Sequence, residues 1–83
     1  MRVLKNAPVA LWLAAGIPVR MELDGVTYLV TDMPTPLEDA FYGLTHVPES
    51  TGWRFQGTAP DGASRMFDVK RVPSGWKVLR SYD

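Results

Sequence analysis

Hydrophobic and polar residues alternate along most of this chain, and turn signals divide the alternation into runs of strand length. Val9, Leu11 and Leu13 share one side of an extended run, with Ala10, Trp12 and Ala14 on the other. Ala and Leu favour helix, but Pro8, Gly16 and Pro18 leave too little room for a stable one. After a turn at Ala14-Ala15-Gly16, the residues Ile17, Val19, Met21 and Leu23 point one way. Arg20, Glu22 and Asp24 point the other, as in a half-buried antiparallel strand. Asp24-Gly25 is a dipeptide that type I′ hairpin turns prefer, because both central residues need positive φ. Val26, Tyr28 and Val30 then continue the inward face, opposite Thr27, Leu29 and Thr31.

Residues 33–51 break this rhythm. Thr35-Pro36-Leu37-Glu38 matches a capping box with Pro at the first helical position, and Leu37, Ala40, Phe41 and Leu44 have helical spacing. The pattern predicts a short helix over 36–43, stopping at Gly43, and then an irregular link through His46, Pro48 and Ser50. From Gly52 the alternation resumes as a three-stranded meander. Its strands fall near 53–59, 64–72 and 75–82, separated by Pro60-Asp61-Gly62 and Pro73-Ser74-Gly75. Trp53 pairs in phase with Phe55, Phe67 with Val69, and Trp76 with Val78 and Tyr82. The fold class is all-β: a small antiparallel, partly open SH3-like or OB-like barrel of five to six strands with one short helix.

Composition adds bounds to this picture. Eighty-three residues make one domain, 1–83, with 1–7 as a loose arm. A chain of this length buries only ~60–65% of the surface its unfolded form exposes, so its core is thin. It has no cysteine, which excludes a disulfide framework and a thiolate zinc site and favours a cytoplasmic home. The start, Met-Arg-Val-Leu-Lys and then an apolar run, has the outline of a signal peptide. Pro8, Gly16, Pro18 and Arg20 interrupt it, and a strand is the expectation. No run reaches the ~18–20 apolar residues of a membrane span.

Net charge is zero but unevenly spread. Residues 1–50 carry Arg2, Lys5 and Arg20 against Glu22, Asp24, Asp32, Glu38, Asp39 and Glu49, which is 3 − 6 = −3. Residues 51–83 carry Arg54, Arg65, Lys70, Arg71, Lys77 and Arg80 against Asp61, Asp68 and Asp83, which is 6 − 3 = +3. The simplest expectation is that the halves pair across the fold; a basic half can also attract phosphate.

The motifs Pro18-Val19-Arg20, Asp24-Gly25-x-x-Tyr28-x-Val30, Trp53-Arg54 and Gly75-Trp76-x-x-x-Arg80-x-Tyr82-Asp83 give a resemblance. Over about residues 17–31 and 52–83 the chain resembles a small family of uncharacterised actinobacterial domains. These occur as short standalone proteins and at the end of some Y-family DNA polymerase-like proteins. The resemblance implies an association with DNA repair or replication, and it implies no catalytic residues.

Chemistry is sparse. His46 is the only histidine and sits in the expected loop without a nucleophile motif, so the expectation is a protein that is not an enzyme. Asp24, Asp32, Glu38, Asp39 and Asp61 lack metal-ligand spacing, and neither a metal nor a cofactor is expected. Glu38 and Asp39 suit the first turn of a helix, where negative charge complements the dipole.

Two binding surfaces remain. Trp12, Leu29, Met66 and Leu79 fall on the strand face away from the core, where the short helix covers them or a protein partner does. Arg54, Arg71, Lys77, Arg80 and Tyr82 are candidates for nucleic acid, since small barrels stack bases on aromatics beside cationic grooves. Trp53, Phe67 and Trp76 are assigned to the core. The leading expectation is a non-catalytic interaction module with a protein partner, and the second is a weak single-stranded nucleic-acid-binding domain.

Overall fold

The alternating runs become strands. The computed structural model describes residues 7–37 and 52–82. Strands β1 (Ala7–Ala14), β2 (Ile17–Leu23) and β3 (Val26–Val30) form one meander; β5 (Gly52–Thr58), β6 (Ser64–Val72) and β7 (Gly75–Tyr82) form the second. A two-residue strand, β4 (Thr35–Pro36), lies between them in sequence. The order is β3-β2-β1-β7-β6-β5-β4, and β3 also pairs with β5. Six strands therefore close into an antiparallel barrel in which each strand neighbours the next one in sequence, sealed by β1 against β7. The expected barrel was partly open; this one is closed. Its order is a simple meander, whereas an OB-fold is a five-stranded Greek key.

Turn chemistry places the hairpins where the sequence predicts. Asp24 and Gly25 both take positive φ, 55° and 82°, as a type I′ turn demands. Ala15 and Gly16 do the same at 52° and 80°. For Ala15 that conformation brings Cβ toward the following carbonyl, at a cost of roughly 1 kcal/mol. Ala15→Asn, and equally Ala15→Gly, should raise the stability of the domain by about 0.5–1 kcal/mol in urea unfolding. A lower midpoint for both would refute the assigned turn. In the β5–β6 connection the Gly62 N–H donates to the Ala59 carbonyl at 2.9 Å, and the Asp61 carboxylate accepts from the Ala63 N–H at 2.9 Å.

Bulges change which residues face inward. In β2, Trp12 pairs with Arg20 but Leu13 pairs with Pro18, so Val19 is an extra residue. The phase flips there: Pro18, Met21 and Leu23 are buried, while Ile17 and Val19, expected on the inner face, are exposed. In β7, Asp68 pairs with Arg80 and Val69 with Val78, which leaves Leu79 as the extra residue. Val78 and Ser81 are therefore buried, and Tyr82 leaves the Trp76–Val78 phase expected for it.

The third irregularity replaces the start of the expected helix. Val30 pairs with Gly57 and Thr35 with Arg54, so two extra residues of the first strand bulge out between them. Asp32 fills the gap by accepting the Gln56 N–H on its carboxylate at 2.8 Å. Thr35 and Pro36 are extended against β5, and the Leu37 N–H donates to the Gly52 carbonyl at 3.0 Å. The local capping-box signal loses to a free strand edge that offers backbone partners, an edge where proline is tolerated. The rest of the expected helix, together with His46, lies outside the described residues. So does residues 1–6 of the expected arm; Ala7 itself pairs with Val78.

Met21, Leu23, Phe55, Phe67, Val69 and Val78 form the core, with Ala7, Val9, Leu11, Tyr28, Val30, Trp53 and Trp76 packed against it. Trp53, Phe67 and Trp76 thus take the core roles expected of them. Tyr28 meets Phe67 edge-on, with ring centroids 4.9 Å apart. Gly57 makes this possible, since a Cβ there would lie 2.9 Å from the Phe67 ring and 3.0 Å from the Tyr28 Cβ. Among the described residues one core atom is discordant: the Ser81 Oγ is buried without a hydrogen-bond partner. A buried unsatisfied hydroxyl costs stability, so Ser81→Ala should be neutral or stabilise by up to ~1 kcal/mol. A loss of more than that in thermal unfolding would show that the hydroxyl is in fact bonded.

Candidate functional site

Two surfaces carry side chains that the core does not use. The first lies at the end of the barrel formed by the β1–β2 hairpin. Beyond Val9 and Arg20, β1 and β2 pair only with each other among the described residues. This ribbon carries Trp12, Leu13, Ile17 and Val19 exposed, and Leu29 follows across Arg20 at 57% exposure. Met33, in the bulge after β3, is 79% exposed. Arg20 lies over the Trp12 ring with its guanidinium carbon 4.3 Å from the centroid, which fixes the indole as a flat outward surface.

Of the four apolar residues expected on the outer face, Trp12 and Leu29 are brought together here, in one row across Arg20. Met66 and Leu79 are half-buried on β6 and β7, and no pairing sets them beside the other two. Leu13, Ile17 and Val19 join the surface without being expected, because the bulge at Val19 and the lack of a third strand expose both faces of the hairpin tip. No local sequence signal marks that bulge.

The second surface is the outer face of β5, β6 and β7. Arg54, Asp68 and Arg80 lie in one cross-strand row. Arg54 donates from Nε to Asp68 Oδ1 at 2.8 Å and from Nη2 to Oδ2 at 3.2 Å; Arg80 donates from Nε to Oδ2 at 2.9 Å. The two guanidinium groups bury the carboxylate to 2% exposure although it lies outside the barrel, while the arginine side chains stay 44% and 60% exposed. Asp68 thus positions both arginines while leaving them accessible. The Arg54–Asp68 and Arg80–Asp68 pairs lie within the C-terminal half.

The next row along the same face reads Gly52, Lys70, Lys77, Pro8. The two lysines stand directly opposite each other. Farther along, Tyr82 pairs with Met66, and Arg80 lies 6.0 Å from the Tyr82 ring. Of the five nucleic-acid candidates, Arg54, Lys77, Arg80 and Tyr82 share this face. Arg71 does not: it pairs with Trp76 in the phase of Phe67 and Val69. Lys70 takes its place, and the alternation around Phe67 and Val69 already contains that signal.

Among the described residues no group of three His, Cys, Asp or Glu side chains could hold a metal ion, and no helix is long and apolar enough to cross a membrane. An open depression at the other end is lined by Ala7, Pro8, Leu23 and Asp24 and brings together no set of convergent polar groups. No protein-family model, curated protein or solved structure matches this chain.

Proposed function

We propose that this chain is a non-catalytic interaction module that docks a partner protein on the exposed apolar surface of Trp12, Leu13, Ile17, Val19, Leu29 and Met33. The observation that carries the reading is the exposure of Trp12, Leu13, Ile17 and Val19 on the hairpin and of Leu29 across Arg20 from it, with Met33 exposed in the bulge after β3. A core this thin gains about 1.5–3 kcal/mol from each large apolar side chain it buries, so leaving six outside is a large forgone stabilisation. Contiguous apolar surface on a small domain marks a docking face. The β1 edge beside it also presents backbone groups that a partner strand can pair with.

The barrel is SH3-like or OB-like in size and antiparallel shape; its meander order differs from the Greek key of an OB-fold. The resemblance to domains found at the end of Y-family polymerase-like proteins favours a partner from a DNA-repair or replication assembly. The cysteine-free composition favours the cytoplasm.

Immobilised protein should capture a partner from extract of its source cell, and Leu29→Lys or Val19→Lys should abolish that capture while the variant melts like the parent. A captured partner retained by both variants, or no capture by the parent, would end this reading.

A further inference from the structure

We propose that the outer face of β5–β7 is a second, independent binding surface that takes single-stranded nucleic acid, with Lys70, Lys77 and Arg80 on the phosphates and Tyr82 against a base. The strongest indication is the Lys70–Lys77 pair. These lysines are directly opposed across β6 and β7. Like charges in that position destabilise a sheet. No carboxylate among the described residues relieves them, since the ion pairs formed use Arg54, Arg80 and Asp68. Their row ends in Gly52 on one side and Pro8 on the other, two residues without a long side chain to screen them.

The adjacent row extends the cationic stripe. Arg80 is held to Asp68 through Nε and remains 60% exposed, so its orientation is set before a ligand arrives. The stripe ends at Tyr82, beside Arg80 and opposite Met66, where an aromatic ring and an apolar side chain meet the cations. Along a strand, residues two apart are separated by ~6.6 Å, so three successive rows extend over about 13 Å. A cationic track with an aromatic platform at one end is the arrangement that binds single strands without reading sequence. A flexible acidic peptide would match the charges but makes no use of the platform. Of the other acidic side chains described, Asp24 lies beside Pro8 at the β1 end of the lysine row, Glu22 is on β2, Asp32 is in the bulge and Asp61 is in the β5–β6 turn; none of them forms an ion pair with Lys70 or Lys77.

The full chain is titrated into a labelled oligothymidylate of about twelve nucleotides, inside the range of small-barrel site sizes. Binding should appear at about 20 mM salt, with log affinity falling against log salt at a slope near −2 for three phosphate contacts. Lys77→Glu should weaken binding roughly tenfold and flatten the slope. The same change relieves the lysine pair and should raise the thermal midpoint by a few degrees. Arg71→Glu alters net charge equally but lies off the face, and it should leave binding within about twofold of the parent. Absence of binding at low salt overturns the proposal. Equal losses in Lys77→Glu and Arg71→Glu overturn it too, because binding would then follow net charge alone. Displacement of the oligonucleotide by polyglutamate of matched charge at equal concentration assigns the face to an acidic peptide and also overturns it. None of these outcomes touches Leu29 or Val19, so the apolar docking surface stands or falls separately.

Discussion

Phe67→Ala should remove about 3–5 kcal/mol of the domain's stability, a quarter or more of the total. The Phe67 ring is fully buried at the centre of the barrel, edge-on to Tyr28 at 4.9 Å and tilted against Phe55 at 6.0 Å. Removing a buried phenylalanine costs ~3–5 kcal/mol, because the transfer energy is lost and a cavity remains. A domain of this length has a total stability of roughly 4–12 kcal/mol at ~0.05–0.15 kcal/mol per residue. The barrel has little means of collapsing around the gap, since Gly57 supplies no side chain to fill it and β5 is held on both edges. Far-UV circular dichroism and urea unfolding read the outcome. A variant within about 1 kcal/mol of the parent would mean that Phe67 is not the centre of the core.

Asp68→Ala should be the most damaging substitution outside the barrel interior. It removes the shared acceptor of Arg54 and Arg80 and leaves two guanidinium groups facing each other across β6. Taking one partner from a fully buried ion pair costs ~3–5 kcal/mol. Here both arginines are substantially exposed, at 44% and 60%, so solvent screening brings the expected loss down to about 1–3 kcal/mol. Asp68→Asn keeps the size and one acceptor oxygen, and it should lose about half as much. Urea midpoints measure both variants. If the two lie together at the parent value, the carboxylate is not what holds the arginines.

The strand map was largely legible because turn residues punctuate it. Asp24-Gly25, Pro60-Asp61-Gly62 and Pro73-Ser74-Gly75 mark the hairpins with residues that supply positive φ or a preset φ. What alternation could not show is where it skips. Val19 and Leu79 are ordinary β formers, and nothing local distinguishes an extra residue from a paired one. Each bulge shifts the phase between the two parts of its strand, so Ile17 and Val19 do not share the inner face of Met21 and Leu23, and Tyr82 does not share that of Trp76 and Val78. The helix expectation failed at its start because Thr35 and Pro36 are read locally as a cap. Their conformation is decided by the free edge of β5, far away in sequence.

The two surfaces differ in the same way. The cationic face follows from strict alternation, which separates Lys70 and Asp68 from Phe67, Val69 and Arg71. The burial of Asp68 depends on register, because only the pairing of Arg54, Asp68 and Arg80 in one row closes the clamp. The apolar end depends on topology: Leu13, in phase with Val9, Leu11 and buried Pro18, would be a core residue if a third strand lay beside it. That β1 stops pairing with β7 after Val9 is a property of the closed barrel and not of any residue in the hairpin.

The central claim is that the hairpin end is surface held in reserve for a partner, not a displaced part of the core. Urea unfolding of Leu29→Lys and Val19→Lys tests it most directly. Both should unfold within about 0.5 kcal/mol of the parent, as exposed substitutions do. A loss of 2 kcal/mol or more in either, about the size expected for a charge forced into a core position, would show that this end packs within the domain and would contradict the account.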